Sequence, residues 1–345
     1  MTVSVIGTVG VPACYGGFES LVENLLPSSK IGLVYCTKRA YSSEVDTYKG
    51  AKLKYWSLDA NGPQSILYDA VSILHSLIFT KNDLLVLGVS GAITLPFFKL
   101  FSNRKVVTNI DGLEWKRDKW GASAKRFLKF SEKLAVKYSD RVVADNAAIA
   151  EHVKKAYNKE ADIIAYGGDH AVAGELDKEK SDFALALCRI EPENNVKMIL
   201  EAFAKTPQRK LKFIGNWNNS SFGKELKEQY SKLKNIEIID PIYDIAELFK
   251  IRNKASSYIH GHSAGGTNPS LVEMMFFEIP IYCFDCNYNR ASTEDKANYF
   301  SSAQSLKELL LKTENPSKGT DMLEIARRRY TWDIVKSQYE ALFND

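Results

Sequence analysis

The chain has 345 residues, of which 45% are hydrophobic and 26% are charged, with 20 Gly and 10 Pro. This composition excludes a disordered chain and a collagen-like one, and the length predicts two domains. The net charge of +4 is uneven, because residues 1–170 carry 22 Lys and Arg against 17 Asp and Glu, whereas residues 171–345 carry 24 against 25.

The sequence shows neither a membrane span nor a secretion signal. No apolar run approaches the roughly 20 residues that cross a bilayer, and no basic segment precedes an apolar stretch at the N-terminus. Five cysteines are an odd number in a large chain. Because an odd number argues against a disulfide framework, we expect a reducing, cytoplasmic setting.

The first half alternates strand patterns with helical patterns. Strands are predicted at 2–8, 30–37, 51–58, 83–90, 105–110, 140–146 and 161–166, and helices at 18–26, 65–80 and 123–139. This alternation predicts an α/β fold with a parallel, doubly wound sheet. Two further segments, 65–81 and 95–105, are apolar enough for a membrane surface or a core, and base rates favour the core.

After a polar, glycine-containing linker at 167–182, the same alternation begins again. Strands are predicted at 183–190, 210–217, 236–241, 256–262 and 279–285, and helices at 197–205, 222–233 and 323–343. The simplest architecture is two Rossmann-like domains facing across a cleft. Ligands of such sheets bind outside the carboxyl ends of the strands.

The segment GHSAGGTNPSLVEMM, residues 261–275, carries the strongest local signal. Two glycines after a predicted strand let the backbone approach a ligand, and Asn-Pro is a typical helix start. Free N–H groups at that start would bind a pyrophosphate, and an acid one turn later would accept hydrogen bonds from a ribose. The candidate donor-binding residues here are Gly265, Gly266, Thr267, Asn268, Ser270, Leu271 and Glu273. The alternative is an ordinary capped loop.

Three other positions follow predicted strands. The loop 7–17 is glycine-rich and ends in Gly16 and Gly17, but its spacing is not G-x-G-x-x-G, and no acid ends the second strand, so a dehydrogenase is disfavoured. Arg189 would project a guanidinium suited to phosphate. Asp111 would orient a sugar hydroxyl or transfer a proton, unless it only caps the next turn.

A basic stretch is densest between residues 116 and 137. It indicates either a solvated helix face or attraction to anionic lipid, and nucleic acid is disfavoured because no recognition motif accompanies it. The candidate acceptor or membrane residues are Lys116, Arg117, Lys119, Lys125, Arg126 and Lys129. A metal site is not expected, since the lone Cys283-x-x-Cys286 lacks two further zinc ligands at a sensible spacing.

Taken together, these motifs resemble glycosyltransferase family 4. The resemblance rests on the glycine-rich first loop, RIEPENN, GGTNPSLVE and the closing YTWDI. More narrowly, the first loop together with NIDGLEWKRDKWG and HGHSAGGTNPSLVEMM is similar to bacterial polysaccharide rhamnosyltransferases. It implies the GT-B fold, with an acceptor domain at 1–170, a donor domain at 171–328 and a C-terminal helix, 329–345, that packs back on the first domain.

The resemblance also implies roles for single residues. Gly16 and Gly17 match glycines near the donor phosphate, Arg189 the pyrophosphate-binding arginine, and Glu273 the ribose-binding glutamate. The usual sugar-binding glutamate falls on Gly265, and the usual phosphate-binding lysine falls on Asn194, so that its charge either comes from Lys197 or is absent. Asp111 replaces the usual histidine of the first domain.

The implied function is retaining transfer of L-rhamnose from dTDP-rhamnose, or of a UDP-linked sugar, to a lipid-diphosphate-linked saccharide. Such a protein would lie on the inner face of the plasma membrane, contact anionic lipid and need no metal or other cofactor. Two alternatives stay open. One is a nucleotide-sugar 2-epimerase of the same fold, and the other is an inactive module that binds sugar nucleotides.

Overall fold

The computed structural model describes residues 2–14, 16–26, 28, 30–110, 112–113, 115, 121–312 and 317–344. The chain forms two compact units. The first unit comprises Met1–Tyr166 with Trp332–Asp345, and the second comprises Gly167–Thr331. The predicted residues Asp111, Lys116, Arg117 and Lys119 lie outside the described part of the chain.

The described part of the first unit contains one sheet with the strand order β3-β4-β2-β1-β5-β6-β7-β8. Its strands are β1 (Val3–Ile6), β2 (Ile31–Thr37), β3 (Thr47–Tyr48), β4 (Ala51–Trp56), β5 (Asp83–Leu87), β6 (Val106–Asn109), β7 (Arg141–Ala144) and β8 (Asp162–Ile163). Its helices are α1 (Gly16–Leu25), α2 (Ser65–Phe79), α3 (Leu95–Phe101), α4 (Ala122–Tyr138), α5 (Ala147–Tyr157) and α13 (Trp332–Ala341). Among the described strands of this sheet, β3 alone pairs antiparallel with its neighbour.

The second unit contains a parallel sheet with the order β11-β10-β9-β12-β13-β14 among its described residues. Its strands are β9 (Ala184–Leu187), β10 (Leu211–Ile214), β11 (Ile236–Ile239), β12 (Ser257–His260), β13 (Ile281–Phe284) and β14 (Asn298–Phe300). Its helices are α6 (Val196–Ala204), α7 (Ser221–Tyr230), α8 (Ile245–Lys254), α9 (Pro269–Met275), α10 (Asn287–Thr293), α11 (Ala303–Leu311) and α12 (Ser317–Arg329).

The central strands are buried along their whole length, which explains their apolar sequences. Every residue of β1 and β5 is buried, and so is every residue of β12. Helices cover both faces of a parallel sheet, so both sides of each strand favour Val, Ile and Leu. The predicted α/β class with two parallel, Rossmann-like sheets is confirmed.

The C-terminal segment differs from the single helix predicted at 323–343. Helix α12 ends at Arg329, and α13 begins at Trp332. Tyr330 lies between them, fully buried, and its hydroxyl donates to the Ser292 carbonyl oxygen at 2.8 Å. This contact keeps the chain in the second unit as far as Tyr330. The helix of the second unit therefore ends before the helix of the first unit begins. Helix α13 contacts α1 and belongs to the first unit.

The two apolar segments are only partly in the core. Tyr68 and Ile73 of α2 are fully buried, but Phe79 at its end is 71% exposed. Helix α3 buries Phe98, yet Leu100 is 74% exposed. The prediction that both segments belong to the core is therefore wrong for their outward faces, because a helix on a sheet buries only the face that contacts the strands.

Helix length and polarity bear on membrane insertion. Within the described residues, no helix has the length and apolar character needed to span a bilayer.

Candidate functional site

The candidate site of the second unit lies at the carboxyl ends of β9 and β12, which are paired neighbours. From β9 the chain moves outward to β10 and β11 on one side, and from β12 to β13 and β14 on the other. These two strands therefore flank the point at which the strand order reverses, where open parallel sheets bind ligands. The loop 188–195 follows β9, and the loop 261–268 follows β12.

Backbone groups of the two loops contact each other directly. The Ser263 N–H donates to the Glu193 carbonyl oxygen at 3.0 Å, and the Asn195 amide donates to the Gly261 carbonyl oxygen at 2.8 Å. A Cβ at Gly261 would lie 2.2 Å from the Asn194 carbonyl oxygen, so only glycine permits this approach. The two loops form one connected surface.

Asn194 lies inside this junction, with 3% of its surface exposed. Its amide nitrogen donates to the Arg189 carbonyl oxygen at 2.7 Å. Its amide oxygen accepts from Nδ1 of His262 at 2.5 Å, so that nitrogen carries the proton. Asn194 occupies the position predicted for a phosphate contact, but here its side chain joins the two loops. A substitute cation, Lys197, is exposed and lies 3.9 Å from Glu201.

Arg189 extends from the end of β9 with its side chain 48% exposed. Its Nη1 lies 3.7 Å from Oε1 of Glu191. An exposed ion pair of this kind contributes little, so a phosphate could replace the carboxylate at low cost. The position agrees with a phosphate-binding guanidinium, and that role stays a prediction.

Helix α9 begins where the sequence predicts, but its first N–H groups are engaged. The side chain of the N-cap Asn268 accepts from the Ser270 N–H at 3.0 Å and from the Ser270 hydroxyl at 2.8 Å. The Leu271 N–H donates to the Asn268 carbonyl oxygen at 3.0 Å. The expectation that these two N–H groups are free for a pyrophosphate is therefore wrong, because the cap itself satisfies them.

The loop before α9 is held from α10. The Asn289 amide donates to the His262 carbonyl oxygen at 2.8 Å. Gly265 has a φ of 105°, a conformation that favours glycine. Gly266 is partly exposed and Thr267 is buried. Contacts of these three residues with a donor stay a prediction, and a glutamate at Gly265 would strain the backbone.

Glu273 faces two basic side chains from other segments of the second unit. Its Oε2 forms a short ion pair with Nη2 of Arg252 on α8, and its Oε1 lies 3.4 Å from Nε2 of His170. Burial raises the pKa of Glu273, but the charge of Arg252 and the contacts with Arg252 and His170 lower the pKa more, so the net shift is downward. The carboxylate is therefore ionised and can only accept hydrogen bonds.

The sequence reasoning missed both partners of Glu273. His170 lies in the polar stretch interpreted as a linker, yet this stretch packs against α9, since a Cβ at Gly168 would lie 2.8 Å from the Glu273 nitrogen. Arg252 lies on a helix that was not predicted, and its side chain is 6% exposed. No local pattern marks either residue, because each meets Glu273 only through tertiary packing.

His260 ends β12 as a buried, neutral histidine. It is 2% exposed, and its Nε2 has no hydrogen-bond partner among the described residues. Burial, and then the neighbouring His262, lower the pKa of His260 well below its ordinary value. Its ring lies between those of Tyr258 and His262, with centroids at 5.9 and 6.0 Å.

In the first unit, carboxylates of α1 hold the glycine-rich loop. Glu19 accepts from the Thr8 hydroxyl at 2.9 Å and from the Val9 N–H at 2.7 Å. Glu23 accepts from the Ala13 N–H at 3.1 Å. Burial raises the pKa of Glu19, although the hydrogen bond from Val9 opposes the shift. Several polar groups of this loop are thus satisfied within the unit.

Gly16 and Gly17 open α1 for reasons visible within the unit. Gly16 is exposed and has a φ of 79°. A Cβ at Gly17 would lie 3.3 Å from the Tyr166 ring. Both glycines are accounted for by backbone conformation and packing, and their contact with a donor phosphate stays a prediction.

Trp115, which is described, contacts a buried carboxylate of α4. The Trp115 indole N–H donates to Oε2 of the buried Glu132 at 2.8 Å. The other oxygen of Glu132 accepts from the Tyr157 hydroxyl at 2.6 Å and lies 3.0 Å from Nε2 of His152. The Glu132 carboxylate of α4 therefore joins Trp115, His152 and Tyr157, and the predicted basic residues Lys125, Arg126 and Lys129 lie on the same helix.

Two family models match the chain, and the boundary between them, at residues 169–171, lies close to the boundary between the two compact units. Residues 1–169 match a family described as a domain of unknown function, DUF1972. Residues 171–321 match the family Glycosyl transferases group 1. No curated protein matches the chain in sequence. The second match supports a glycosyltransferase.

Solved structures show the same fold over the whole chain. Sucrose-phosphate synthase from Thermosynechococcus elongatus is 13% identical with a TM-score of 0.75, covering 99% of this chain and 98% of that one. A glycosyltransferase from Rickettsia africae is 13% identical with a TM-score of 0.74, covering 99% and 97%. Anabaena HepE in complex with UDP-glucose is 14% identical with a TM-score of 0.71, covering 99% and 99%. The chain has the GT-B fold.

Proposed function

We propose that the protein is a retaining glycosyltransferase that transfers a sugar from a nucleotide diphosphate to a lipid-diphosphate-linked saccharide, in the assembly of a bacterial capsule or O-antigen. The observation that carries the proposal is the placement of Arg189 and Glu273 around the switch point of a sheet whose sequence matches Glycosyl transferases group 1. The preferred donor is dTDP-L-rhamnose, on the resemblance to family 4 rhamnosyltransferases.

Two charged groups of the second unit would contact different parts of the donor. The ionised Glu273 carboxylate would accept hydrogen bonds from the ribose hydroxyls, and Arg252 keeps it charged. The Arg189 guanidinium would stabilise the negative charge that develops on the leaving diphosphate. In the transfer, the bond from the anomeric carbon to the phosphate oxygen breaks, and the acceptor oxygen attacks the same face while its proton passes to the departing phosphate.

A UDP-sugar is the main competing donor, since Anabaena HepE has been solved in complex with UDP-glucose. Melting temperatures measured with dTDP-rhamnose, UDP-glucose and the free nucleotides distinguish the two classes. The proposal expects the largest stabilisation from dTDP-rhamnose. If no sugar nucleotide raises the melting temperature, the donor site is refuted, and if only UDP-glucose does, the rhamnose assignment is refuted.

Turnover separates an enzyme from an inactive binding module and from an epimerase. The donor is incubated with and without a prenyl-diphosphate-linked sugar, and the product is examined by NMR. Transfer with retained anomeric configuration supports the proposal. Conversion of the donor without any acceptor indicates the 2-epimerase, and stable binding without turnover indicates the module.

Arg189→Ala tests the assignment of the leaving-group contact. We expect turnover to fall by about 10²-fold or more, as removal of one fixed charge stabiliser usually costs. Arg327→Ala, which removes an exposed arginine of α12, is the matched control. If the turnover of Arg189→Ala equals that of Arg327→Ala and of wild type, Arg189 has no role in the reaction.

Because Arg189 supplies positive charge to the leaving diphosphate, the proposal includes no metal ion. Turnover measured with EDTA should equal turnover without it. A loss that Mg²⁺ restores would contradict this part of the proposal.

A further inference from the structure

Three neighbouring helices of the first unit, α2, α3 and α4, form an outward surface with an unusual composition. Helix α3 lies between the other two and packs against both. We refer to their outward side as the α2–α4 face. All residues of these three helices are described, so the apolar and charged side chains of this face can be assigned one by one.

Helix α3 presents a continuous apolar stripe to solvent. Phe97 is 49% exposed, Leu100 74% and Phe101 63%, and Ile93, one turn earlier, is 44% exposed. Within α3, the spacings of three and four residues from Phe97 place Leu100 and Phe101 on the same helical face as Phe97, and Ile93 lies in the 3-10 turn before the helix. The rings of Phe97 and Phe101 lie 4.7 Å apart. The stripe is therefore a packed apolar ridge rather than scattered side chains.

The neighbouring helices expose further apolar side chains. Ile78 at the end of α2 is 69% exposed, and Phe130 on α4 is 52% exposed. Phe79 is also exposed, but its ring packs on His75, which contacts Tyr35 of β2 and Trp56 of β4. Soluble monomers rarely expose a contiguous apolar patch of this kind without a binding partner. The partner must therefore offer an apolar region broad enough to contact three helices.

The exposed charged residues of α2, α3 and α4 are all basic, although Lys99 of α3 forms an ion pair at 2.6 Å with Asp140, which follows α4. Exposed bases on α4 are Arg126, Lys129, Lys133 and Lys137. The three helices contain only two acidic residues, Asp69 and Glu132, which are 1% and 2% exposed. Phe130 lies between Arg126 and Lys133 on the same side of α4, so apolar and basic groups alternate.

We infer that the α2–α4 face binds an anionic lipid bilayer, with the α3 ridge inserted among the acyl chains and the α4 bases at the lipid phosphates. Apolar side chains combined with lysines and arginines are typical of segments that lie in a membrane interface. A second copy of the chain fits poorly, because two faces without exposed carboxylates repel each other. This inference rests on the proposed lipid-linked acceptor, and it assigns the contact to residues outside the donor site.

The test compares the apolar ridge with an equally exposed apolar residue elsewhere. Leu100→Glu with Phe101→Glu removes the ridge, and Tyr243→Glu changes a residue that is 89% exposed in the second unit. Purified proteins are sedimented with vesicles of phosphatidylcholine alone or mixed with phosphatidylglycerol. We expect wild type and Tyr243→Glu to bind the anionic vesicles, and the ridge variant to bind at least about tenfold less.

Charge is tested on the same helix with Lys133→Glu and Lys137→Glu together. This variant should bind anionic vesicles less than wild type at low salt. When the salt concentration is raised, wild type should still bind a fraction of the vesicles through Leu100 and Phe101, because salt screens charges but does not weaken apolar insertion. Equal binding of the ridge variant and Tyr243→Glu to anionic vesicles overturns the inference. Ridge-dependent dimerisation in sedimentation velocity, or ridge-dependent binding of RNA without vesicle binding, also overturns it.

A water-soluble acceptor separates this inference from the proposed function. Turnover of the ridge variant with a short-chain acceptor should equal that of wild type, since neither substituted residue belongs to the donor site. Vesicle binding without any sugar transfer refutes the proposed function and leaves the membrane face standing. Transfer without ridge-dependent vesicle binding refutes the membrane face alone.

Discussion

Two buried carboxyl groups, Glu273 in the second unit and Asp69 in the first, differ sharply in their surroundings. Glu273 faces Arg252 and His170, and its pKa is lowered despite burial. No described basic residue contacts Asp69 by a hydrogen bond, and burial raises its pKa to about 7 although Ser90 and the Gly91 backbone oppose the shift. A nearby opposite charge, rather than burial, decides whether each carboxyl is ionised.

The hydrogen-bond partners of Asp69 and Glu273 differ in the same way. Asp69 accepts from the Ser90 hydroxyl at 2.8 Å through Oδ2, while its Oδ1 is buried without a partner among the described residues. Both oxygens of Glu273 contact a basic side chain. The Glu273 carboxylate, which is proposed to bind ribose, is thus ionised near neutral pH, whereas Asp69 is partly protonated there.

Removing the positive partner should make Glu273 resemble Asp69. We expect Arg252→Met to lower the free energy of unfolding at about pH 8 by roughly 3 kcal/mol, because a buried carboxylate loses its compensating charge. The variant should also lose stability as pH rises, since burial alone raises a carboxyl pKa. Urea unfolding at several pH values measures both effects.

The double variant, Arg252→Met with Glu273→Gln, is the control for this cycle. It should recover most of the lost stability, because neither group then carries a buried charge. Equal stability of wild type and Arg252→Met would show that Arg252 does not hold the charge of Glu273.

Removing the titrating group of Asp69 should have a smaller effect with a characteristic pH dependence. The folded-state pKa is above the ordinary value, so wild-type stability is greatest below that ordinary value and falls as pH rises through about 7. Asp69→Asn should therefore gain about 2 to 3 kcal/mol relative to wild type between about pH 4.5 and 8. Thermal or urea unfolding across this range measures the difference, and a constant difference would contradict the assigned pKa.

The smallest expected effect comes from the single hydroxyl that contacts Asp69. Ser90→Ala removes the donor at 2.8 Å and should cost about 1 kcal/mol, the usual net value of one hydrogen bond. It should also move the midpoint of the pH-dependent loss of stability further upward, since that bond opposes the rise in the Asp69 pKa. A downward shift would mean that another group titrates in this range.

The parts of the fold that could be predicted are those encoded locally. Apolar runs such as β5 indicate strands covered on both faces, and Asn268 followed by Pro269 marks the start of α9. The direction of an apolar helical stripe is not local information. The sequence of α3 has the apolar period of a core helix, yet Phe97, Leu100 and Phe101 face outward.

The site was predictable only where one segment carries the chemistry. Arg189 and Glu273 are predicted from their positions, one after a strand and the other within a capped helix. The partners of Glu273 come from residues 21 positions away and from a polar segment, and the amide of Asn194 meets His262, 68 positions later. Such contacts depend on tertiary packing, which no spacing within a segment reports.

Helix α13 completes the first unit from the far side of the second unit in sequence. Val335 is fully buried and Tyr339 is 3% exposed, and the Tyr339 hydroxyl accepts from the Asn109 amide at 2.7 Å. During synthesis on the ribosome, β1 to β8 therefore emerge long before the helix that covers part of them. The residues that α13 covers in the first unit stay exposed until the whole second unit has been synthesised. Because α13 is so distant in sequence from these strands, we expect its docking to be a late and slow step of folding.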